Sequence, residues 1–406
     1  MLTYQELIKN IGYKRLSKKY DASYDSFINY LKDKDIDLSY FIDKDYLLNL
    51  KNTLDLSDEV YEYFLSHLDT FNNNKDLVLT SHYLKYLLFY FEEPSLNDIF
   101  QSPKCKLYQN DVFEAVVLMS IVLERIDALR KRGMKNDVLK PRIGIIKRIL
   151  NHHIRRDYGN FRWASFDFYI NLFNAKALSF MIPYVFDANI HIFRSKDDKT
   201  IILAGSGERI RKDGQLDGVN GIKDYAFTTS YKETKREYIG YYIDPKGFYT
   251  DKIMKLDKNE WNEFIKEGDY ILEMHVGGHY KYEDNILAFK EAIAFAHKYF
   301  SEYDFKAIYG YSWLFSPQIP QLISNESSNI LRMFKTGYIV PCSSGEKLAF
   351  DFIYEDPDMT IDKMPTNTTL LKNIKDFYLQ GNRINCGMYF LMIDNIDKID
   401  DNVYQK

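Results

Sequence analysis

Apolar residues in the first part of the chain recur with the period of an α-helix. Val60, Phe64 and Leu68 follow one another at intervals of four. A second stripe alternates intervals of four and three, which keeps its members on one helical face: Val112, Val116, Met119, Leu123 and Ile126. The pattern predicts amphipathic helices that bury one face against a core.

Polar residues at both ends of the second stripe predict a single helix there. Asn110 or Asp111 suits its N-cap, and the basic run 130–132 suits its negative end before Gly133. We therefore predict a helical N-terminal domain over residues 1–155.

Short apolar runs separated by turn residues replace the helical stripes from residue 178 onward. Asp197-Asp198 separates two predicted strands, and Asp244-Pro245 separates two more. Residues 328–334 predict a short helix, and residues 336–355 predict a closing hairpin. The order predicts an α+β fold in which a helical domain precedes a mixed β-sheet domain flanked by helices, residues 156–406.

Residues 271–276 form a predicted strand that carries an acid and a histidine. Side chains alternate between the faces of a strand, so Glu273 and His275 share one face. Such a pair suits proton transfer, because its surroundings tune either group toward neutral pH. The alternative is an ordinary polar pair across strands or an exposed sheet face.

A glycine pair and a predicted amphipathic helix follow this strand. Gly277-Gly278 lets the backbone expose its N–H groups, and a helix N-terminus attracts phosphate. Lys281 adds a positive charge, although a plain turn capped by Asp284 explains the same residues. His275 and His279 have zinc-ligand spacing for a helix, but the glycines lie between them and no third ligand is evident. We predict no metal.

Bulk composition narrows the functional classes. The 406 residues carry 54 basic and 58 acidic side chains, a net charge of -4, which argues against a dedicated nucleic-acid binder. The three cysteines are far apart and favour a reducing cytoplasm. The apolar run 115–123 is far shorter than the roughly 20 residues that span a membrane, so we expect no membrane partner.

Several segments taken together resemble a known family. They are "NAKALSFMIPYV", "DKNEWNEFIKEGD", "ILEMHVGG", "YSWLFSPQIPQLI" and "SNILRMF". In this order they resemble the C-terminal half of bacterial two-domain GNAT-like acyltransferases, which join a helical N-terminal domain to an N-acetyltransferase-like domain. The resemblance covers residues 160–390, and its most specific part is Ser312-Trp313-Leu314 followed by Pro317-Gln318.

The resemblance implies an acyl-CoA-dependent N-acyltransferase. An amine of a small molecule or peptide would attack the thioester of acetyl-CoA or another acyl-CoA directly, with Glu273 or His275 as base. The pyrophosphate would lie against the turn formed by Val276, Gly277, Gly278, His279, Tyr280 and Lys281, and a backbone N–H near Val276 would contact the thioester oxygen. Ser312, Asn329 or Tyr338 would assist the leaving thiolate, and Asn329 is also a candidate for cofactor binding.

The turn departs from the pattern of the superfamily. That pattern begins with Arg or Gln, which "VGGHYK" lacks. Two alternatives therefore stay open: a non-catalytic acyl-CoA or nucleotide sensor, and a protein-interaction module on the same fold. The sequence leaves the oligomeric state open.

Overall fold

The computed structural model describes residues 1–14, 16–92, 102–153, 161–277, 281–401 and 404. They belong to two compact units, Met1–Leu172 and Phe173–Lys406. The predicted domain boundary between residues 155 and 156 lies outside the described residues and stays a prediction.

The first unit is helical. Its helices are α1 (Tyr4–Ile11), α2 (Ser23–Asp33), α3 (Lys44–Leu54), α4 (Asp58–Asn72), α5 (Lys75–Phe89), α6 (Asn110–Met119), α7 (Val122–Lys131), α8 (Asn136–His153) and α9 (Phe161–Tyr169). Val60, Phe64 and Leu68 are fully buried on α4, which confirms the first stripe.

The second stripe does not form a single helix, so that prediction was wrong. Its buried residues are divided between α6 and α7, and Ser120 ends α6. The buried hydroxyl of Ser120 donates to the carbonyl of Val117 at 2.7 Å. A serine that bonds to the backbone in this way competes with the helical ladder, which explains the break. Gly133 has φ +84°, as expected of a residue that ends a helix.

The second unit combines strands and helices. Its strands are β1 (Leu172–Ala175), β2 (Leu178–Val185), β3 (Ile190–Ser195), β4 (Thr200–Ala204), β5 (Arg209–Arg211), β6 (Tyr225–Thr228), β7 (Tyr231–Glu233), β8 (Glu237–Asp244), β9 (Phe248–Asp257), β10 (Trp261–Ile265), β11 (Tyr270–Val276), β12 (Ala307–Ser312), β13 (Tyr338–Pro341) and β14 (Gly387–Met392). Its helices are α10 (Tyr282–Tyr299), α11 (Ile319–Leu322), α12 (Asn329–Lys335), α13 (Glu346–Tyr354) and α14 (Thr369–Leu379).

The first sheet has the order β1-β2-β11-β12-β14-β13. Within it β11 and β12 run parallel, while β2, β14 and β13 are antiparallel to their neighbours. Phe289 of α10 lies near Phe180 of β2 and Tyr389 of β14, with ring centroids 6.2 and 6.5 Å away, so α10 covers one face of this sheet. A second sheet has the order β10-β3-β4-β8-β7, with β9 also on β8, and β5 pairs with β6. The predicted α+β class with a mixed sheet is confirmed.

The prediction of a closing hairpin over residues 336–355 was wrong. Its first half is β13, but its second half is helix α13, and β13 pairs with β14 instead. The apolar content of "EKLAFDFIY" does not distinguish a strand from a buried helix. The side chain of Asn220, distant in sequence, decides for the helix by accepting the N–H of Glu346 at 2.7 Å.

Other features bear on the predicted partners and cofactors. Among the described helices, none is long and apolar enough to cross a bilayer. No group of three or more His, Cys, Asp or Glu suited to a metal ion occurs within the described ranges. Cys105, Cys342 and Cys386 are all free thiols.

Candidate active site

The parallel strands β11 and β12 separate before they end. Their backbone pairing joins Leu272 with Ile308 and Glu273 with Tyr309. Both strands continue for three more residues, to Val276 and Ser312, and in this stretch the described residues of β11 and β12 pair with β2 and β14 but not with each other. A cleft therefore opens in the middle of the first sheet, beside Glu273.

Gly310 follows Tyr309, the last residue of β12 that pairs with β11, and its Cα still lies near Met274 of β11. A Cβ at this position would lie 2.9 Å from the carbonyl oxygen of Met274 and 3.1 Å from its methyl carbon. Any side chain would push the strands further apart. A glycine inside a predicted strand is a signal of close backbone approach, and it identifies this position from sequence.

Glu273 and His275 lie together, as alternation predicts. The Nε2 atom of His275 is 3.2 Å from the Oε2 atom of Glu273. The Glu273 side chain is 6% exposed and that of His275 24%. The carboxylate is therefore buried, while the imidazole is partly exposed. This arrangement suits a base and a group that passes protons outward.

Tyrosines surround the carboxylate on its face of the sheet. Tyr309, paired with Glu273, is buried, and its ring stacks on that of Tyr184 with centroids 5.8 Å apart. Burial raises the pKa of Tyr309 well above its usual value, and the Tyr184 hydroxyl and the Glu273 carboxylate raise it further. Tyr311 is on the same face by alternation and is 41% exposed. These hydroxyls lie on other strands than Glu273, so the pattern along β11 does not predict them.

Val276 and Gly277 end β11 at the cleft. The N–H of Gly277 donates to the carbonyl of Ala177, 3.1 Å away, on the β2 side. Successive N–H groups of a strand point to opposite edges, so the N–H of Val276 points toward β12. It points into the gap where β11 and β12 have separated. Gly277 and Lys281 are exposed, while Gly278, His279 and Tyr280 lie outside the described residues.

The N-terminus of α10 is capped by α12. The side-chain oxygen of Asn329 accepts the N–H of Tyr282 at 3.2 Å. Arg332 binds Glu283 at 2.6 Å and lies over the ring of Tyr282. The hydrogen bond from Arg332 lowers the pKa of Glu283, and its own backbone N–H lowers it further. Asn329 thus caps the first turn of α10. Arg332 compensates the negative charge of Glu283, one of the two acids in that first turn.

Ser312 and Tyr338 are not brought together with the Glu273–His275 pair. Ser312 faces the α10 side by alternation, and its hydroxyl oxygen accepts the N–H of Leu314 at 3.2 Å. Tyr338 is 1% exposed; its hydroxyl donates to the carbonyl of Ile243 and accepts the N–H of Ile202. The Tyr338 hydroxyl therefore links the edge strand β13 to β4 and β8 of the second sheet.

The model of one protein family, the GNAT-like C-terminal domain, matches residues 188–390. The chain belongs to this family. The match includes β11, α10, β12 and α12, and therefore the cleft and both strands that line it. The GNAT-like C-terminal domain thus supplies every element that positions Glu273 and His275, apart from β2.

Solved acyltransferase structures are similar to the whole chain, beyond its GNAT-like C-terminal domain. An acyltransferase in complex with decanoyl-CoA has 12% sequence identity and a TM-score of 0.53, covering 96% of this chain and 99% of that one. A mutant acyltransferase with octanoyl-CoA, and an acyltransferase with decanoyl-CoA and teicoplanin, each have 12% identity and a TM-score of 0.52. Each alignment covers 96% of this chain; it covers 98% of the mutant acyltransferase and 99% of the acyltransferase with decanoyl-CoA and teicoplanin. At this identity the similarity concerns the fold. Comparison with curated proteins found no match.

Proposed function

We propose that this protein transfers an acyl group from an acyl-CoA to an amine, and that the reaction takes place in the cleft between β11 and β12. The observation that carries the proposal is the separation of these strands beside the buried Glu273 and its partner His275. Membership of the GNAT-like family and the fold shared with acyltransferases solved with acyl-CoA support it.

The pantetheine arm of the acyl-CoA enters the gap left by the missing strand pairing. There it meets backbone groups that would otherwise bond to a neighbouring strand. The pyrophosphate lies against the turn 276–281, with Lys281 as a countercharge. Glu283 lies at the start of α10, where its negative charge would repel the phosphates. Arg332 binds Glu283 and so reduces this repulsion.

Proton transfer is assigned to Glu273 and His275. An ammonium acceptor must lose a proton before its nitrogen attacks the thioester carbon. His275 is the more exposed of the two, so it takes the proton, directly or through water, and Glu273 orients and stabilises the imidazolium. The amine then forms the new C–N bond without a covalent enzyme intermediate.

The developing oxyanion is assigned to the N–H of Val276. This donor points toward β12 at the point where the thioester would lie, and a donor fixed before the reaction begins stabilises charge effectively. Although Ser312 lies on the sheet face opposite Glu273, it ends β12 at the gap, and it is the proposed donor to the leaving thiolate. Its oxygen accepts the N–H of Leu314, which leaves the hydroxyl hydrogen to donate. Tyr338 already donates its hydroxyl hydrogen to Ile243.

The acyl chain and the acceptor are the least specified parts of the proposal. Similar structures contain decanoyl-CoA and octanoyl-CoA, so chains longer than acetyl belong in any substrate panel. One of them also contains teicoplanin, and a glycopeptide amine is therefore a reasonable first acceptor beside simple amines.

The experiment measures thiol release from acetyl-, octanoyl- and decanoyl-CoA with and without amine acceptors. Glu273→Gln should lower turnover by about 100-fold or more, the contribution typical of acid–base catalysis. Glu263→Gln is the matched control, because Glu263 binds His191 at 2.7 Å in the second sheet, away from the cleft.

Each failure of this experiment points to another function. Equal losses in the two variants would remove Glu273 from the chemistry. Binding of CoA thioesters without thiol release by the parent would favour a sensor. A ligand at 100 times its dissociation constant stabilises a fold by about 2.7 kcal/mol, so a thermal shift would reveal such binding. Absence of any shift would favour an interaction module.

A further inference from the structure

A pocket of about 480 Å³ lies within the helical unit. It is lined by the end of α3, the last turn of α7 and one face of α8. The α8 residues on that face follow helical spacing: Asn136, Lys140, Ile143, Gly144 and Lys147. This volume is within the range of small-molecule sites. The proposed transfer reaction does not involve any of these residues.

Gly144 is unexplained by packing. It lies in the interior of α8, where glycine destabilises a helix relative to alanine. A Cβ built on Gly144 would meet no atom of the described residues within 4 Å. The space above it is the pocket itself. The missing side chain keeps open a volume that the protein does not fill.

The pocket has an excess of positive charge. Arg130, Lys140 and Lys147 line it with one carboxylate, Asp55, which Lys147 binds at 2.6 Å, and Asp127 outside the lining lies 3.5 Å from Arg130. Arg130 suits the negative end of α7. Lys140 lies in the second turn of α8, and no hydrogen bond or ion pair joins its ammonium group to another residue in the described part of the chain.

We propose that this pocket binds a small amphiphilic anion. Its carboxylate or phosphate lies against Lys140, with Arg130 and Lys147 at the rim. Its apolar body lies over Ile143 and the open space above Gly144. The site belongs to the helical unit and is separate from the proposed acyl-transfer cleft.

Calorimetric titration of the full chain tests the site with octanoate, octyl phosphate and inorganic phosphate as probes. One or both amphiphiles should bind, and the tighter one identifies the head group. Inorganic phosphate should bind at least about tenfold more weakly, because it lacks the apolar body. Lys140→Gln should weaken the amphiphile by about tenfold or more, because it removes a charged hydrogen-bond donor. Lys131→Gln, an exposed neighbour outside the pocket, should leave affinity unchanged.

Substitution of Gly144 separates binding from folding. Gly144→Ala should raise the melting temperature, and Gly144→Leu should keep the fold while lowering amphiphile affinity by about tenfold or more. Glu273→Gln should bind the amphiphile as the parent does. The proposal fails if neither amphiphile binds the parent, if Gly144→Leu and Lys140→Gln bind like the parent, or if inorganic phosphate binds as tightly as octyl phosphate.

Discussion

The Nε2 atom of His275 lies 3.2 Å from the carboxylate of Glu273, two residues earlier on the same strand. The protein has a second pair of this kind, in which Nδ1 of His191 on β3 lies 2.7 Å from Glu263 on β10. The two pairs differ in their surroundings. His191 and Glu263 lie on the paired antiparallel strands β3 and β10, whose register shifts between Glu263 and Ile265, whereas Glu273 is where the parallel strands β11 and β12 separate.

Replacement of His275 should affect turnover more than binding. In His275→Ala we expect kcat to fall by about 100-fold, because the group that takes the proton from the amine is lost. The dissociation constant of the acyl-CoA should change by less than about threefold, since the side chain acts in the transition state. Steady-state kinetics and equilibrium binding measure the two separately. His191→Ala is the control, and parent values of kcat in His275→Ala would exclude His275 as the base.

Substitution of two glycines next to the cleft should affect stability to different extents. Gly310→Ala places a Cβ 2.9 Å from the carbonyl oxygen of Met274, and this overpacking should lower the free energy of unfolding by about 1–3 kcal/mol. In Gly277→Ala the new Cβ meets, among the described residues, only the Ala177 carbonyl at 3.6 Å, so stability should change by less than about 0.5 kcal/mol.

Acyl-CoA affinity separates the two variants further. Gly277→Ala should weaken binding by about tenfold, or about 1.4 kcal/mol, if the phosphates approach the backbone at this turn. Urea denaturation and equilibrium binding of both variants check these expectations. Parent affinity in Gly277→Ala would place the phosphates elsewhere.

The hydroxyls of Tyr338 and Ser312 should prove to have different roles. Tyr338→Phe removes a buried donor to Ile243 and leaves the N–H of Ile202 without its acceptor. We expect the free energy of unfolding to fall by about 1–3 kcal/mol, with kcat unchanged. Ser312→Ala should lower kcat and cost about 1 kcal/mol or less of stability through the lost bond to Leu314. A fall in kcat for Tyr338→Phe alone would make Tyr338 the proton donor.

Local periodicity predicted those parts of this fold that depend on local sequence. Alternation on β11 placed Glu273 and His275 on one face, and the apolar spacing of α4 identified its buried residues. It failed where a distant or competing polar group decided the structure. Ser120 broke a continuous stripe by bonding to Val117, and Asn220 capped a segment that had been assigned to a hairpin.

The tyrosines of the site show a second limit of structure prediction from local sequence. Tyr184, Tyr309 and Tyr311 meet the face of Glu273 because β2, β11 and β12 are neighbours in the sheet, and strand order is not encoded in a single segment. With 34 tyrosines in the chain, composition singles out none of them. Gly310 is different, since a glycine inside a strand pattern already signals close backbone contact.

Asp167 on α9 should make the stability of the protein depend on pH. Burial raises the pKa of this carboxyl to about 6, while nearby Arg148 lowers it. The unfolded chain ionises Asp167 near its usual pKa of about 3.9. The folded state therefore holds more protons, and the free energy of unfolding falls as pH rises from about 4 to about 6. The stability associated with the neutral Asp167 carboxyl is fully present below about pH 4 and is lost above about pH 6.

Comparison with Asp167→Asn isolates this effect, because asparagine keeps the shape and does not ionise. His82 has the opposite effect on the pH dependence: burial lowers the pKa of His82 to about 4, so stability is lost as pH falls from about 6.5. Because the parent and Asp167→Asn both contain His82, this effect cancels in the comparison. Relative to the parent, the variant should gain stability on the order of 2 kcal/mol between pH 4 and pH 7, measured by urea denaturation. Asp33→Asn, at an exposed helix end, should show no such change. A difference that stays constant with pH would mean that Asp167 has the same pKa in the folded and unfolded chain.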